Sequence, residues 1–257
     1  MNKLFFDIGN SKIKFASIVK RDYQYHGSFL VTDFLDNISD YLFDNLERPD
    51  AVYISSVASA EVVEKIRSQI QSEWQLIPVR LEAQQSCCGL QSGYADFHRL
   101  GVDRWLAMIG AHSLTKEPFV VIDAGTALTI DAVIDGQHHG GFIVPGLRTQ
   151  ADSLFVNAAA LDSVEQDSLE GEESKEERLL ATNTSEAILG GTLYMVSAYL
   201  NEIISDLNAQ LQTQFKVFVT GGDADKIAKI LHFDSVKRTD LVLKGAVYMV
   251  SQIEGKK

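Results

Sequence analysis

Two short strings in this 257-residue chain set an aspartate, a glycine and hydroxyl or amine side chains within a few positions of one another. The first is Asp7-Ile8-Gly9-Asn10-Ser11-Lys12-Ile13-Lys14; the second is Asp123-Ala124-Gly125-Thr126-Ala127-Leu128-Thr129-Ile130-Asp131. A glycine two residues after a strand-end aspartate lets the backbone turn sharply and come close to a ligand. In the first string the backbone amides, the Asn10 and Ser11 side chains and the Lys14 ammonium can then surround phosphate oxygens. Asp7 faces the same space and suits Mg²⁺, held through water because that ion dehydrates reluctantly. Asp, Gly and Asn are equally the residues of a plain hairpin turn, so the first string alone admits both readings. The second is sharper, because turn chemistry accounts for Asp123 and Gly125 but poorly for the whole string.

A third cluster, Gly101-Val102-Asp103-Arg104, precedes an apolar helical run containing Trp105, Leu106, Met108 and Ile109. Asp103 can accept a hydrogen bond from a hydroxyl, and Arg104 can fork onto a carboxylate. Spacing alone favours a plainer alternative, an N-capping aspartate beside a surface arginine. Thr220-Gly221-Gly222-Asp223-Ala224 follows a short strand, where glycines let a flat base lie against backbone; strand–Gly-Gly–helix is a common arrangement. Gly140 to Gly146 is expected to be structural for the most part. His138-His139 is expected to be an exposed pair, since adjacent side chains on a strand diverge and do not converge on a metal.

The elements that must position these strings follow an α/β grammar. Leu4-Phe5-Phe6 is a compact apolar strand, Ile13 to Val19 its hairpin partner, and Tyr23 to Phe29 a third strand. Phe34 to Phe43 carries a helical stripe, Ala51 to Ser55 is a strand and Glu61 to Ile70 a helix. Phe119-Val120-Val121-Ile122 starts the grammar again, with Leu128 to Ile134 and Gly141 to Val144 as strands around an Asp135-Gly136 turn. Thr184 to Leu207 is a long helix with a hitch at Gly190-Gly191. Val217 to Val219 is a strand, and Asp225 to Leu231 and Leu241 to Ile253 are helices, with Gly245 marking a close contact. Asp162 to Arg178 is strongly acidic and is expected to be a solvated loop or frayed helix before it is a binding face.

The two aspartate strings echo one another. Aligned from Asp7 and Asp123, they share Asp, Gly, Ala and Ile at the same offsets: Asp7 with Asp123, Gly9 with Gly125, Ala16 with Ala132 and Ile18 with Ile134. Both copies sit at a strand–turn–strand junction, which suggests a duplicated lobe with a nucleotide held in the cleft between.

Composition bounds the partners. The chain is 46% hydrophobic and 23% charged, globular proportions for two lobes or one large domain. Its formal net charge is -12, a surface that repels nucleic-acid backbones while leaving room for a local basic pocket. No secretory signal is apparent, and no stretch is expected to reach the roughly 20 apolar residues of a membrane span. Cys87 and Cys88 are adjacent, which suits neither a disulfide framework nor a zinc site. Two reduced, buried or half-buried thiols and a cytoplasmic location fit.

Taken in order, DIGNSKIK, GVDR, DAGTALTID, GGFIVPG, the NTSEAILGG of Asn183 to Gly191, and TGG resemble the type III pantothenate kinase family. That family belongs to the acetate and sugar kinase/Hsc70/actin superfamily, and the resemblance runs from Asp7 to about Gly245. It implies an α/β fold of two ribonuclease-H-like, actin-like ATPase lobes, 1–115 and 116–257, with a nucleotide cleft between them. It implies ATP-dependent phosphorylation of pantothenate, the first step of coenzyme A biosynthesis. Residues Asp7, Ile8, Gly9, Asn10, Ser11, Lys12, Ile13 and Lys14 would bind ATP phosphates, with Asp7 near Mg²⁺, and Thr126 would contact ATP. Tyr94, Gly101, Val102, Asp103, Arg104 and Thr184 would bind pantothenate, and Asp103 would take the proton. Asp123 would help hold a monovalent cation, K⁺ or NH₄⁺. A homodimer completing the acceptor site across its interface is implied, with no nucleic-acid or membrane partner. One departure is visible: AAALDSVEQD, at Ala158 to Asp167, lacks the Leu-Pro expected at the lid near 158–165. Two other readings stay open: an idle relative acting as a transcription accessory factor, and a superfamily kinase with a different acceptor.

Overall fold

The computed structural model of the protein describes residues 1–157 and 180–255. Strand β1 (Lys3–Ile8) turns at Gly9, whose amide donates to the Lys12 carbonyl at 2.9 Å, and returns antiparallel as β2 (Lys12–Val19). β3 (Asp22–Leu30) pairs antiparallel with β2, while β4 (Ala51–Ser56) and β5 (Val79–Arg80) extend the other edge in parallel, giving the order β3-β2-β1-β4-β5. A two-residue hairpin, β6 (Ser86–Cys87) and β7 (Leu90–Gln91), follows.

The second half repeats the plan. β8 (Phe119–Ala124), β9 (Ala127–Ile134) and β10 (Gln137–Pro145) form an antiparallel meander, and β11 (Lys216–Thr220) and β12 (Ser235–Lys237) add in parallel beyond β8. The order β12-β11-β8-β9-β10 is that of the first sheet with the same strand directions, and the β6–β7 hairpin joins it at the β10 edge. The duplication suggested by the two aspartate strings is therefore present in the strand order, but not quite as aligned. Asp7 pairs with Lys14, whereas Asp123 pairs with Thr129, so the second turn is one residue shorter. Ala16 and Ile18 correspond to Asp131 and Val133 by pairing; the Ala and Ile identities are out of register by one residue, which in a strand means the opposite face. The Asp and Gly identities stand.

On the first sheet, α2 (Ala60–Trp74) is capped by the Ser59 side chain and lays Ile66, Ile70 and Trp74 on Leu4, Phe6, Ile8, Ile13 and Phe15. The helix expected over Phe34 to Phe43 is broken in two, α1 (Val31–Asp36) and a π-helical turn over Ser39–Phe43. The Asn37 side chain bonds back to the Asp33 carbonyl at 2.9 Å between them, and Phe34 and Leu42 both still reach the core.

Between the sheets lie α3 (Val102–Leu114) and α7 (Leu241–Glu254), whose apolar sides join Phe5 and Ala16 of one sheet to Phe119, Val121 and Phe218 of the other. They pack backbone to backbone: a Cβ on Gly245 would stand 1.8 Å from the Leu106 carbonyl oxygen, and one on Gly110 would stand 2.4 Å from that of Leu241. The outer face of the second sheet is covered by α5 (Thr184–Leu211), reached through α4 (Leu147–Asn157), and by α6 (Ala224–Ile230). The glycines at 190 and 191 do not interrupt α5. This helix is long and apolar enough, by length and composition, to cross a membrane, which corrects the expectation that no stretch approaches a span. Here one face of it, Val196, Leu200 and Ile204, is buried on Val120, Ile122, Val217 and Val219, while most of the helix is half-buried or exposed. The acidic segment 162–178 and the lid near 158–165 lie outside the described residues.

Candidate active site

Each duplicated hairpin delivers its aspartate one residue before the strand ends, and the two hairpin tips meet. The Ser11 and Thr126 hydroxyls are 2.9 Å apart. The Thr126 carbonyl is pinned by the Gly146 amide at 2.9 Å and by the Thr149 hydroxyl at 2.7 Å. A third turn closes on the same place. Gly221 has φ of +96°, and a Cβ there would come within 2.3 Å of the Ala124 carbonyl, so only glycine fits. The Asp223 amide donates to that carbonyl at 3.0 Å, and the Lys12 ammonium reaches over Gly222 from the other lobe, 3.6 Å from where a Cβ would stand. Gly9, Asn10, Ser11 and Lys12 form the first tip; Ile8 and Ile13 are core residues that offer only backbone to it.

Behind the tips, carboxylates crowd around one lysine. Lys14 stands opposite Asp7 in the β1–β2 register. Burial pushes Asp7 up to about 7; Lys14 opposes the rise, while Asp123 and Asp103 add to it. Asp123 is pushed up to about 6 by burial, with Lys14 opposing and Asp103 and Asp131 adding. Burial also raises Asp103, against the pull of the Arg104 amide and guanidinium. Three acids sharing one field with too little positive charge form a place for cations. Among the described residues no three His, Cys, Asp or Glu side chains could hold a metal ion. An ion held here would need water or phosphate oxygens to complete its shell.

Asp103 enters from the first turn of α3. Its cap is Gly101, not Asp103, and a Cβ on Gly101 would sit 2.6 Å from Asp103 Oδ1. That oxygen accepts the Arg104 amide at 2.8 Å. Val102 is buried in the central core.

Arg104 is not the surface residue of the plainer alternative; it is 5% exposed. Nor is its carboxylate-matching fork open. Nε and Nη2 donate to Asp131 Oδ2 and Oδ1 at 2.8 and 2.5 Å, and Nη1 donates to the Tyr94 hydroxyl at 2.8 Å. His138, 1% exposed, places Nε2 3.0 Å from Asp131 Oδ1 and stacks on the Tyr94 ring at 5.9 Å between centroids. The expectation of an exposed histidine pair is thus half right. The two side chains do diverge, which leaves His139 exposed and sends His138 inside.

Thr184 is placed apart from these groups. It opens α5 after the Asn183 cap, whose Oδ1 accepts the Glu186 amide at 2.9 Å. It lines a cavity of about 690 Å³ together with Leu154, Ile188 and Met195. Tyr94, Asp103 and Arg104 are not in that lining.

Asp131 and His138 are the residues that sequence reasoning left without a role. A signal existed for the first: Asp131 interrupts an otherwise apolar strand, and a charge in a buried run needs a partner. Cys87 and Cys88 are both half-buried, as expected, with their Sγ atoms 3.2 Å apart.

The family model for type III pantothenate kinase matches residues 3–206. The type III pantothenate kinase of Hydrogenovibrio crunogenus is 39% identical over 97% of this chain and 99% of its own. That of Alkalilimnicola ehrlichii is 33% identical over 97% and 98%. Among solved structures, component A of (R)-2-hydroxyglutaryl-CoA dehydratase from Acidaminococcus fermentans covers all of this chain at a TM-score of 0.52 and 10% identity, a likeness of fold alone. With the duplicated sheets, the meeting hairpin tips and these relatives in hand, the chain belongs to the type III pantothenate kinase family.

Proposed function

We propose that this chain transfers the γ-phosphoryl group of ATP to the hydroxyl of pantothenate, giving 4'-phosphopantothenate for coenzyme A synthesis. The lobes 1–115 and 116–257 would close on the nucleotide, with Asp103 as the residue nearest the chemistry. The observation that carries this reading is the pair Asp7 and Asp123, one from each duplicated hairpin, both in the field of Lys14 and of Asp103, on the hairpins whose tips meet at the Ser11–Thr126 contact.

The phosphoryl group passes through a loose transition state, so positioning and charge stabilisation dominate catalysis. The amides and hydroxyls of 9–12 and 125–126 hold phosphate oxygens, replacing the hydrogen bond that Ser11 and Thr126 make to each other. Lys14, and Lys12 reaching across the cleft, offset phosphate charge. Asp7 would hold Mg²⁺ and Asp123 would help hold K⁺ or NH₄⁺; when bound, these ions would supply neutralisation of the charge that develops on the phosphates. Asp103 orients the acceptor hydroxyl and takes its proton as the new P–O bond forms and ADP departs. An aspartate raised by burial is better matched to that task than a free one.

Pantothenate would be oriented by Tyr94 and by the segment Gly101 to Arg104. With three of its five N–H groups already given to Asp131 and Tyr94, Arg104 has one N–H left on each of Nη1 and Nη2, and these would meet the substrate carboxylate. Thr184 would contribute from a second copy of the chain in a cytoplasmic homodimer. The exposed apolar residues Phe142, Ile143, Leu154, Tyr194 and Met195 on β10, α4 and α5 suit such an interface.

The direct test measures ADP release and formation of the phosphorylated product with pantothenate present and absent, and with and without K⁺. ADP formation that depends on pantothenate and is stimulated by K⁺ is expected. Release indifferent to pantothenate would refute the assignment.

A further inference from the structure

The acceptor side rests on a buried polar group that the reaction itself does not call for. Asp131 is 2% exposed in the middle of β9, where neighbours on both sides are apolar. Burying an ion pair is seldom a source of stability, since desolvating both charges costs about as much as their attraction returns. Yet the surroundings are built to keep this pair. Gly141 faces it across the β9–β10 ladder, and a Cβ there would stand 2.5 Å from Asp131 Oδ1 and 2.9 Å from Arg104 Nη2. Gly93, next to Tyr94, allows the chain to approach the His138 carbonyl, which a Cβ would meet at 2.1 Å. Any larger residue at either position would push the pair or the tyrosine aside.

We propose that Asp131 and His138 are positioning residues that fix Arg104 and Tyr94 for recognition of a carboxylate-bearing acceptor. This rests on the reading of Arg104 and Tyr94 as acceptor-binding residues. The two Asp131 oxygens hold the Nε/Nη2 edge of the guanidinium, so the plane of Arg104 is set and its rotation about the side-chain axis is lost. Asp131 Oδ1 is shared with His138 Nε2 at 3.0 Å. A carboxylate beside a guanidinium accepts only, so Nε2 carries the hydrogen and the imidazole orientation follows. The imidazole in turn lies nearly parallel to the Tyr94 ring, with 13° between the planes, and Tyr94 accepts from Arg104 Nη1 at 2.8 Å. The four side chains close a loop in which each restrains the next. Because Asp131 neutralises the guanidinium, what Arg104 offers the acceptor is direction more than net charge. The loop therefore selects a carboxylate placed to meet two N–H groups, and not anions in general.

The test compares full-length variants by steady-state kinetics in both substrates, with the Tm of each measured alongside. Asp131→Asn is expected to raise the pantothenate KM by about 10- to 100-fold, the range seen when the outer partner of a metal-binding side chain is lost. The ATP KM and the turnover at saturating pantothenate should stay within about threefold. His138→Phe keeps a ring against Tyr94 but loses the donor to Asp131, and should raise the pantothenate KM; His138→Gln restores a donor and should recover most of it. These two milder variants carry the test if Asp131→Asn does not fold. Equal loss in both KM values, or a normal pantothenate KM in both Asp131→Asn and His138→Phe, overturns the proposal. Arg104→Lys separates the two levels. If it leaves the pantothenate KM unchanged, the acceptor reading of Arg104 fails; if it raises that KM while Asp131→Asn does not, only the positioning role fails.

Discussion

Ser11 and Thr126 touch through their hydroxyls at 2.9 Å although 115 residues separate them in the chain. Each sits at the tip of one copy of a duplicated hairpin, so the contact marks the line where the two lobes face each other. A phosphate chain bound there would exchange one hydroxyl–hydroxyl bond for bonds from both lobes to charged oxygens. Bonds to charged groups are worth about 1.5–3 kcal/mol each. Ser11→Ala and Thr126→Val should therefore each raise the ATP KM by about tenfold or more while leaving the pantothenate KM nearly unchanged. Steady-state kinetics with each substrate varied decides it; an unchanged ATP KM in both variants would take the phosphates elsewhere.

Asp103→Asn keeps the size of the side chain and an oxygen for the Arg104 amide. Turnover should fall roughly 10²- to 10⁴-fold, the usual contribution of a positioned proton acceptor, with ATP affinity by calorimetry close to that of the parent. Near-normal turnover would remove Asp103 from the role.

The crowding of acids has a stability signature. In the ligand-free fold Asp7 is raised from 3.8 to about 7, so the folded state holds a proton that the unfolded chain has released. That contribution is complete below about pH 4 and is lost as pH rises through about 7. Asp7→Asn should accordingly raise the Tm of the ligand-free protein more at pH 8 than at pH 5. Added Mg²⁺ with ATP should stabilise the parent at pH 8 and the variant much less. A Tm gain equal at both pH values would mean that Asp7 does not carry the raised pKa.

Gly245 is a packing residue with no part in the chemistry. Its Cα lies so close to α3 that a methyl group would meet the Leu106 carbonyl oxygen at 1.8 Å and the Gly110 nitrogen at 3.0 Å. Overpacking a rigid helix contact costs about 1–3 kcal/mol. Gly245→Ala should lower stability by at least that much in urea titration. Since α3 carries Asp103 on the same rigid element, kcat should fall as well; unchanged stability would mean that the helices separate freely.

What the sequence determined was local. Apolar runs at Leu4 to Phe6 and Phe119 to Ile122, each followed by Asp-x-Gly, specify a strand and its turn, because side-chain period and backbone freedom at glycine act within a few residues. Most of the succession of strands and helices in both halves, the long α5 and the close contact at Gly245 were legible for the same reason. Tertiary structure decided what depends on partners distant in the chain. The apolar stripe of Phe34 to Phe43 became two short turns under the aromatic cluster of the first sheet. The one-residue difference between the two hairpins is set by pairing that no ungapped comparison of the strings can see. His138 and Asp131 gained their meaning only when β9, β10 and α3 came together around Arg104. A buried charge is tolerated where a partner already waits, and that partner lies 27 residues away on another element.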